Sequence, residues 1–440
     1  MTVDADRPAD VSFRQALGYW LKLGFISFGG PAGQIALMHE ELVERRRWIS
    51  EKRFLHALNY CMLLPGPEAQ QLATYIGWLM HRTRGGIAAG ALFVLPSLLI
   101  LIALSWIYLA FGHVPAVAGI FYGLKPAVTA LVLHAAWRIG SRALKNRWLW
   151  VIAAAAFVAI FAAQLPFPLI VIAAGLIGHV GGRVAPGVFT QGGHGSAHKH
   201  YGAALIDDDT PTPPHARFTR ARLARVAVIG IGLWLIPLGA LVATQGIEAT
   251  LTQMGWFFTK AALLTFGGAY AVLPYVYQGA VEQHHWLTAV QMIDGLALGE
   301  TTPGPLIMVV AFVGFVGGWS QQAIAGSPAL AGVLGATVAA WFTFVPSFIF
   351  ILAGGPLVES TRGNIRMTAP LTAISAAVVG VIASLALFFG IHVFHPAGHW
   401  EWPAMAIAAA AAIAMMRYKQ GTIRVLLACA IAGIVLSYRV

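Results

Sequence analysis

The chain is 440 residues long, 58% hydrophobic and 10% charged, with a formal net charge of +11 and a mean hydropathy of +0.73. No soluble core can hide that much hydrocarbon, so the composition predicts an all-α polytopic membrane protein and places the positive charge on loops that meet anionic lipid, not nucleic acid. The two cysteines, Cys61 and Cys429, both sit in apolar segments, which argues against a disulfide framework or a CxxC redox pair.

Taking about 20 apolar residues per span, the first half reads as elements at roughly 14–38, 53–80, 86–111, 113–137, 148–164 and 166–182. The first dozen residues, with Asp4, Asp6 and Asp10, lack the basic start of a cleaved signal peptide. A polar stretch over 183–224 follows, with Gly192-Gly193, His194, His198, His200, His215, Asp207-Asp208-Asp209, Pro211, Pro213 and Pro214. Its composition reads as a flexible linker, and its His/Asp spacing defines no metal site. Further elements are expected at roughly 223–245, 250–278, 290–318, 328–354, 366–390, 402–416 and 422–438. The chain therefore divides into a first unit (1–182), the linker (183–224) and a second unit (225–440), with about 13 apolar elements in all.

The two units are homologous. Phe28-Gly29-Gly30 recurs as Phe266-Gly267-Gly268, and at the same offset of 238 Lys22 falls on Lys260, Glu44 on Glu282, Trp48 on Trp286 and Pro65-Gly66-Pro67 on Pro303-Gly304-Pro305. The ungapped stretch 22–67 shares 11 of 46 residues with 260–305, and most are Gly, Pro, Trp and charge, which chance matching of greasy segments would not produce. The loop 45–53 holds five Lys or Arg (Arg45, Arg46, Arg47, Lys52, Arg53), whereas 283–291 holds none, so the copies are expected to face opposite sides of the membrane. Arg82 and Arg84, the loop 138–147, the linker, and Arg362 with Arg366 all fall on the basic side if the first two elements of each unit are re-entrant hairpins. This predicts inverted-topology repeats with a cytoplasmic N-terminus and a periplasmic C-terminus. Non-helical backbone at membrane depth marks a binding site.

Pro31 follows Gly29-Gly30, and Pro67 and Pro305 follow Gly66 and Gly304, each at a favoured first position of a helix. The breaks at Pro31, Pro65, Pro67, Pro303 and Pro305 thus start half-helices whose free N–H groups suit an anion; Ala269 replaces the proline in the second Phe-Gly-Gly. The expected anion-binding residues are Lys22, Ser27, Gly29, Gly30, Asn59, Gly66, Gln70, Lys260, Thr265, Gly267, Gly268, Thr301, Thr302 and Gly304, with Gln71 nearby. Glu68, just after the first Pro-Gly-Pro, and Glu300, three residues before the second, are the candidate proton carriers. Glu44 and Glu282, with Trp48 and Trp286, read as interface anchors. His134 and Arg138, one turn apart, are candidates to line an anion exit.

The run GFISFGGPAGQIALMHEELVERRRWISEKRFLHALNYCMLLPGPEAQQLATYIGW and its copy TFGGAYAVLPYVYQGAVEQHHWLTAVQMIDGLALGETTPGP resemble the chromate ion transporter family, long two-domain type, over nearly the whole chain. The resemblance implies a secondary active exporter of chromate in the inner membrane, driven by the proton-motive force and conferring chromate resistance, with sulfate as the isosteric competitor. It implies a transporter and not an enzyme, with no cofactor and no metal, and leaves a homodimer open. An uptake permease for sulfate or another oxyanion is the alternative on the same scaffold. Pro96-Ser97 and Pro346-Ser347 differ by 250, not 238, so an insertion is expected near Gly318–Ser327.

Overall fold

The computed structural model describes residues 8–28, 30–189, 201–266, 268–360 and 368–437, which are helical with no strand among them. The first unit comprises α1 (Phe13–Ile26), α2 (Gly30–His39), α3 (Glu51–Leu63), α4 (Glu68–Phe111), α5 (Pro115–Ala143), α6 (Arg147–Phe161) and α7 (Phe167–Val184), followed by a single turn, α8 (Pro186–Phe189). After the linker come α9 (Arg220–Gln245), α10 (Thr250–Leu264), α11 (Ala269–Tyr277), α12 (Ala289–Thr301), α13 (Val309–Ser320), α14 (Pro328–Ser360), α15 (Thr368–Phe394), α16 (Trp402–Met416) and α17 (Thr422–Ser437). Six of these helices are long and apolar enough to cross a membrane.

The chain reverses at each of the four Gly/Pro breaks. Tyr19 of α1 and Trp48, just past α2, lie on either side of Phe28-Gly29-Gly30, yet their rings are 5.4 Å apart. A straight path would separate them by more than about 30 Å at 1.5 Å per residue. Phe257 and Trp286, their equivalents at the 238 offset, are likewise 5.4 Å apart. Arg53 of α3 and Tyr75 of α4 reach the same Glu359 carboxylate from the two sides of Pro65-Gly66-Pro67. A Cβ on Gly317 would lie 2.9 Å from Trp286, which closes the fourth hairpin. Each half thus presents two hairpins of short helices.

Local detail repeats in register. A π-helical turn covers Glu40–Arg45 after α2 and Gln278–Gln283 after α11. Arg47 and His285 both take φ +51. Ser50 and Thr288 then cap α3 and α12 by accepting from the N3 amides of Arg53 and Gln291. Where the halves differ, the cause is chain length. α4 folds back on itself at His81 and Arg82, whose φ/ψ of −130/32 and 58/−161 are not helical. A Cβ on Gly90 would meet Thr74 Oγ1 at 2.3 Å, although 16 residues of straight helix would separate them by about 24 Å. The second half makes the same reversal between α13 and α14 through the loop 321–327, within the expected insertion.

α14 touches both hairpin pairs near their bases. Ala331 of α14 packs on Gly318, beside the base of the second pair, and Gly355 packs on Trp78 at the base of the first. The intervening 24 residues span about 36 Å, more than the roughly 30 Å hydrocarbon core. Outside the hairpins, the remaining helices of the two units interlock through small residues. Gly119 and Gly123 of α5 meet Gly433 and Cys429 of α17, and Gly380 of α15 lies on Ala153 of α6, contacts that admit no Cβ.

The segment expected to be a flexible linker is, over 201–216, packed against the first unit, which corrects that reading for these residues. Ile206 pairs with Ile49, and Ser50 N donates to Ile206 O at 3.0 Å while Ile206 N donates to Trp48 O at 3.1 Å. Ser50 Oγ donates to Asp208 at 2.6 Å, and Ala216 is fully buried. α9 begins at Arg220, within the stretch assigned to the linker. His194, His198, His200, Arg362 and Arg366 lie outside the described residues.

Candidate functional site

Ser27 and Thr265 end α1 and α10 with nearly the same backbone angles, φ/ψ −79/84 and −79/92. Their carbonyls are released from the helical ladder and accept from the opposite half. Gly304 N donates to Ser27 O at 2.7 Å, and Gly66 N donates to Thr265 O at 2.8 Å. The two bonds are each other's image at the 238 offset. Each Phe-Gly-Gly break is thereby joined to the Pro-Gly-Pro break of the other half, and the hydrogen bond from Tyr270 to Glu300 links the two hairpins of the second half.

Glycine is required where these strands touch. Gly66 has φ +126, and a Cβ there would lie 2.3 Å from Ser347 Oγ; Gly304 has φ +105, and its Cβ would lie 2.6 Å from Ser97 Cβ. Ser97 and Ser347 are the serines of the two Pro-Ser pairs, brought to equivalent places on α4 and α14. Gln34 of α2 is buried and donates through Nε2 to Gly304 O at 2.6 Å and to Ser27 O at 3.4 Å. Gln71 donates to Pro65 O at 2.8 Å and reaches Ser347 Oγ at 3.4 Å. Ser27 Oγ, Ser97 Oγ and the amide oxygens of Gln34, Gln70 and Gln71 are buried without a protein hydrogen-bond partner. Buried polar atoms carry a desolvation cost unless something pairs them, so this density of them distinguishes the region from ordinary helix packing. α4 and α11 begin here with no side chain capping their first-turn amides, as does the short turn Leu306–Met308.

The expected site residues fall into three groups. Ser27, Gly30, Gly66, Gln70, Thr265, Thr302 and Gly304 are buried at or beside the breaks, with Gly268 and Thr301 at their margin. Thr265, Thr301 and Thr302 each give their hydroxyl to a carbonyl of their own helix. Gly29 and Gly267 lie outside the described residues. Lys22, Lys260 and Asn59 are exposed, so the structure does not bring them into the buried centre. Lys260 instead lies 5.9 Å from the Trp256 ring and lines a cavity of about 420 Å³ with Leu264, Tyr275 and Gln278. Lys22 shares its face with exposed Leu21, Phe25 and Ile26.

Glu68 is half-buried at the first position of α4, with no ion-pair partner among the described residues. Glu300 is buried and accepts a short hydrogen bond from Tyr270 of α11, linking the two hairpins of the second half. Trp48 and Trp286 are buried between hairpin arms instead of anchoring at an interface. Gln34, Ser97 and Ser347 escaped the sequence reading, although the displaced Pro-Ser pair was the signal that could have found the serines.

Comparison with known proteins agrees with this architecture. The family description "Chromate transporter" matches residues 14–179 and again 252–434. A "Chromate transport protein" of Pseudomonas aeruginosa is 34% identical over 380 residues, 86% of this chain and 81% of that protein. A "Probable chromate transport protein" of Synechococcus elongatus is 30% identical over 385 residues, 87% and 86% of the two chains, and a "Chromate transport protein" of Cupriavidus metallidurans is 30% identical over 377 residues, 84% and 81%. No solved structure matches. This multi-pass membrane protein therefore belongs to the chromate transporter family.

Proposed function

We propose that this protein carries chromate out of the cell across the inner membrane, by alternating access of two inverted repeats around the region where the breaks of the two halves are joined. The observation that carries the reading is the reciprocal pair Gly304 N to Ser27 O and Gly66 N to Thr265 O, because it makes one shared centre out of the two halves. Around that centre, uncapped helix N-termini and the hydroxyls of Ser27 and Ser97 offer donors to a tetrahedral dianion. Sulfate has the same charge and shape, so it competes, and discrimination rests on cavity size. Lys22 and Lys260, outside the buried centre, act at longer range by attracting the anion to the hairpins.

A membrane potential negative inside already favours expelling a dianion, by about 4.6 kcal/mol per 100 mV for two charges. Proton exchange adds to this drive, with Glu300 or Glu68 as the carrier: both sit on hairpin arms beside the centre, and Tyr270 gives Glu300 a hydroxyl through which to relay. The basic loop 45–53 supports a cytoplasmic N-terminus and a periplasmic C-terminus. Inside-out vesicles given an interior-positive potential should accumulate labelled chromate, and sulfate should inhibit. Uptake by right-side-out vesicles in its place would reverse the direction and favour an oxyanion permease.

A further inference from the structure

Two ion pairs with buried carboxylates join the halves away from the central region. Asp294 of α12 lies 3.6 Å from Lys125 of α5 and accepts from the Tyr108 hydroxyl at 2.9 Å. Glu359 of α14 lies 3.8 Å from Arg53 of α3 and accepts from the Tyr75 hydroxyl at 2.6 Å. Both carboxylate side chains are 3% exposed. In each cluster the base comes from the first half, the acid from the second, and the tyrosine from one arm of the folded α4. Tyr75 stands beside Thr74, which packs on Gly90, so the clusters are about 27 Å apart along the 18 residues from Gly90 to Tyr108.

Duplication does not account for this resemblance. At the 238 offset Asp294 falls on His56, Arg53 on Gln291 and Tyr75 on Val313, and at the later offset of 250 Glu359 falls on Leu109. The inherited counterpart of the Asp294 contact is His56, whose ring nitrogen lies 3.4 Å from the Val358 carbonyl. The same three-part chemistry therefore occupies both ends at non-equivalent positions. Static packing does not call for it either, since apolar side chains of equal volume hold buried helices at least as well as an ion pair. An ion pair differs in what it becomes when parted: both faces are readily hydrated, so the contact can open to water and close again.

We propose that Lys125–Asp294–Tyr108 and Arg53–Glu359–Tyr75 are the two gate locks of the transport cycle, one at each mouth, released in alternation. The structure with both joined is then the occluded state. The proposal rests on the alternating-access reading above and assigns residues to its two gates.

Cys61 of α3 is fully buried near the first Pro-Gly-Pro break, in the half whose hairpins open toward the Arg53 end. With Cys429→Ala it is the sole thiol, and its rate of reaction with N-ethylmaleimide reports opening of that mouth. Arg53→Gln or Glu359→Gln should raise the rate about tenfold, the shift a modest population change gives, while Lys125→Gln or Asp294→Asn should lower it by favouring the opposite opening. The exchanged pair Lys125→Asp with Asp294→Lys should restore the parent rate. General loosening of the fold would accelerate labelling in all four, so a rise at both ends, or no change at either, overturns the proposal. If a single variant fails to insert, the exchanged pair carries the test, and its failure to label like the parent also overturns it. Labelling is read without chromate, so a protein that labels as expected yet does not carry chromate keeps the locks and loses the cargo.

Discussion

Gly66 gives its amide hydrogen to the Thr265 carbonyl at 2.8 Å across the boundary between the halves, from a backbone conformation of φ +126. Alanine at Gly66 or Gly304 meets both a disfavoured φ and atoms within 2.3 or 2.6 Å. Strain of about 1–3 kcal/mol and overpacking of about 1–3 kcal/mol combine, so transport should be lost and the melting temperature in detergent should fall. Gly268→Ala, with φ +98 but nothing within 4 Å, should show only the strain, and Gly18→Ala, in open helix, should be close to neutral. Equal effects at all four positions would contradict the geometry.

Gln34 is the side chain that ties α2 to the second Pro-Gly-Pro turn. Gln34→Leu removes two donated bonds and leaves the Gly304 carbonyl short of a donor, a loss of about 1–3 kcal/mol in stability. Gln34→Glu keeps the shape but brings an acceptor against two carbonyls and should do worse. Thermal denaturation of the purified variants orders them. The second half has Val272 at the equivalent place, so Val272→Gln should not compensate.

Glu300→Gln keeps an acceptor for the Tyr270 hydroxyl but cannot ionise. In vesicles it should abolish the response of chromate transport to an imposed pH gradient while leaving chromate exchange in place. Tyr270→Phe should keep the coupling and slow it. If Glu300→Gln still follows the pH gradient and Glu68→Gln does not, the proton role passes to Glu68.

The docked linker should respond to acid. Burial pushes the His215 imidazole below its ordinary value of 6.5, assisted by Arg82 and Arg222 and opposed by the hydrogen bond to the Trp78 carbonyl. A base whose folded pKa is depressed stabilises the docked state above its unfolded pKa, and that contribution fades as pH falls through the folded value. Protection factors for amide exchange over 204–216, which remove the intrinsic slowing of exchange by acid, should therefore fall below about pH 6.5, and His215→Asn should flatten the dependence.

The all-α membrane architecture and the positions of the Gly/Pro breaks were legible, because composition sets the first and backbone geometry the second. Facing was not legible: Lys22 and Lys260 share an offset, but an offset says nothing about which side of a helix points inward, and both are exposed. Trp48 read as an interface anchor because tryptophan often is one, yet the hairpin reversal folds it onto Tyr19. Linker residues 201–216 looked disordered by composition, which cannot register that Ile206 finds an unpaired backbone edge at Trp48–Ser50. Gln34 belongs to no motif, and Ser97 and Ser347, though marked by the displaced Pro-Ser pairs, become visible as site residues only once the halves are brought face to face.

Each half holds, at its turns, a donor and an acceptor whose mates belong to the other: Gly66 and Ser27 on one side, Thr265 and Gly304 on the other. The halves are dovetailed, so neither is finished alone. A polypeptide severed between 189 and 201 should stay a single particle, and two separately made fragments should find each other in the bilayer.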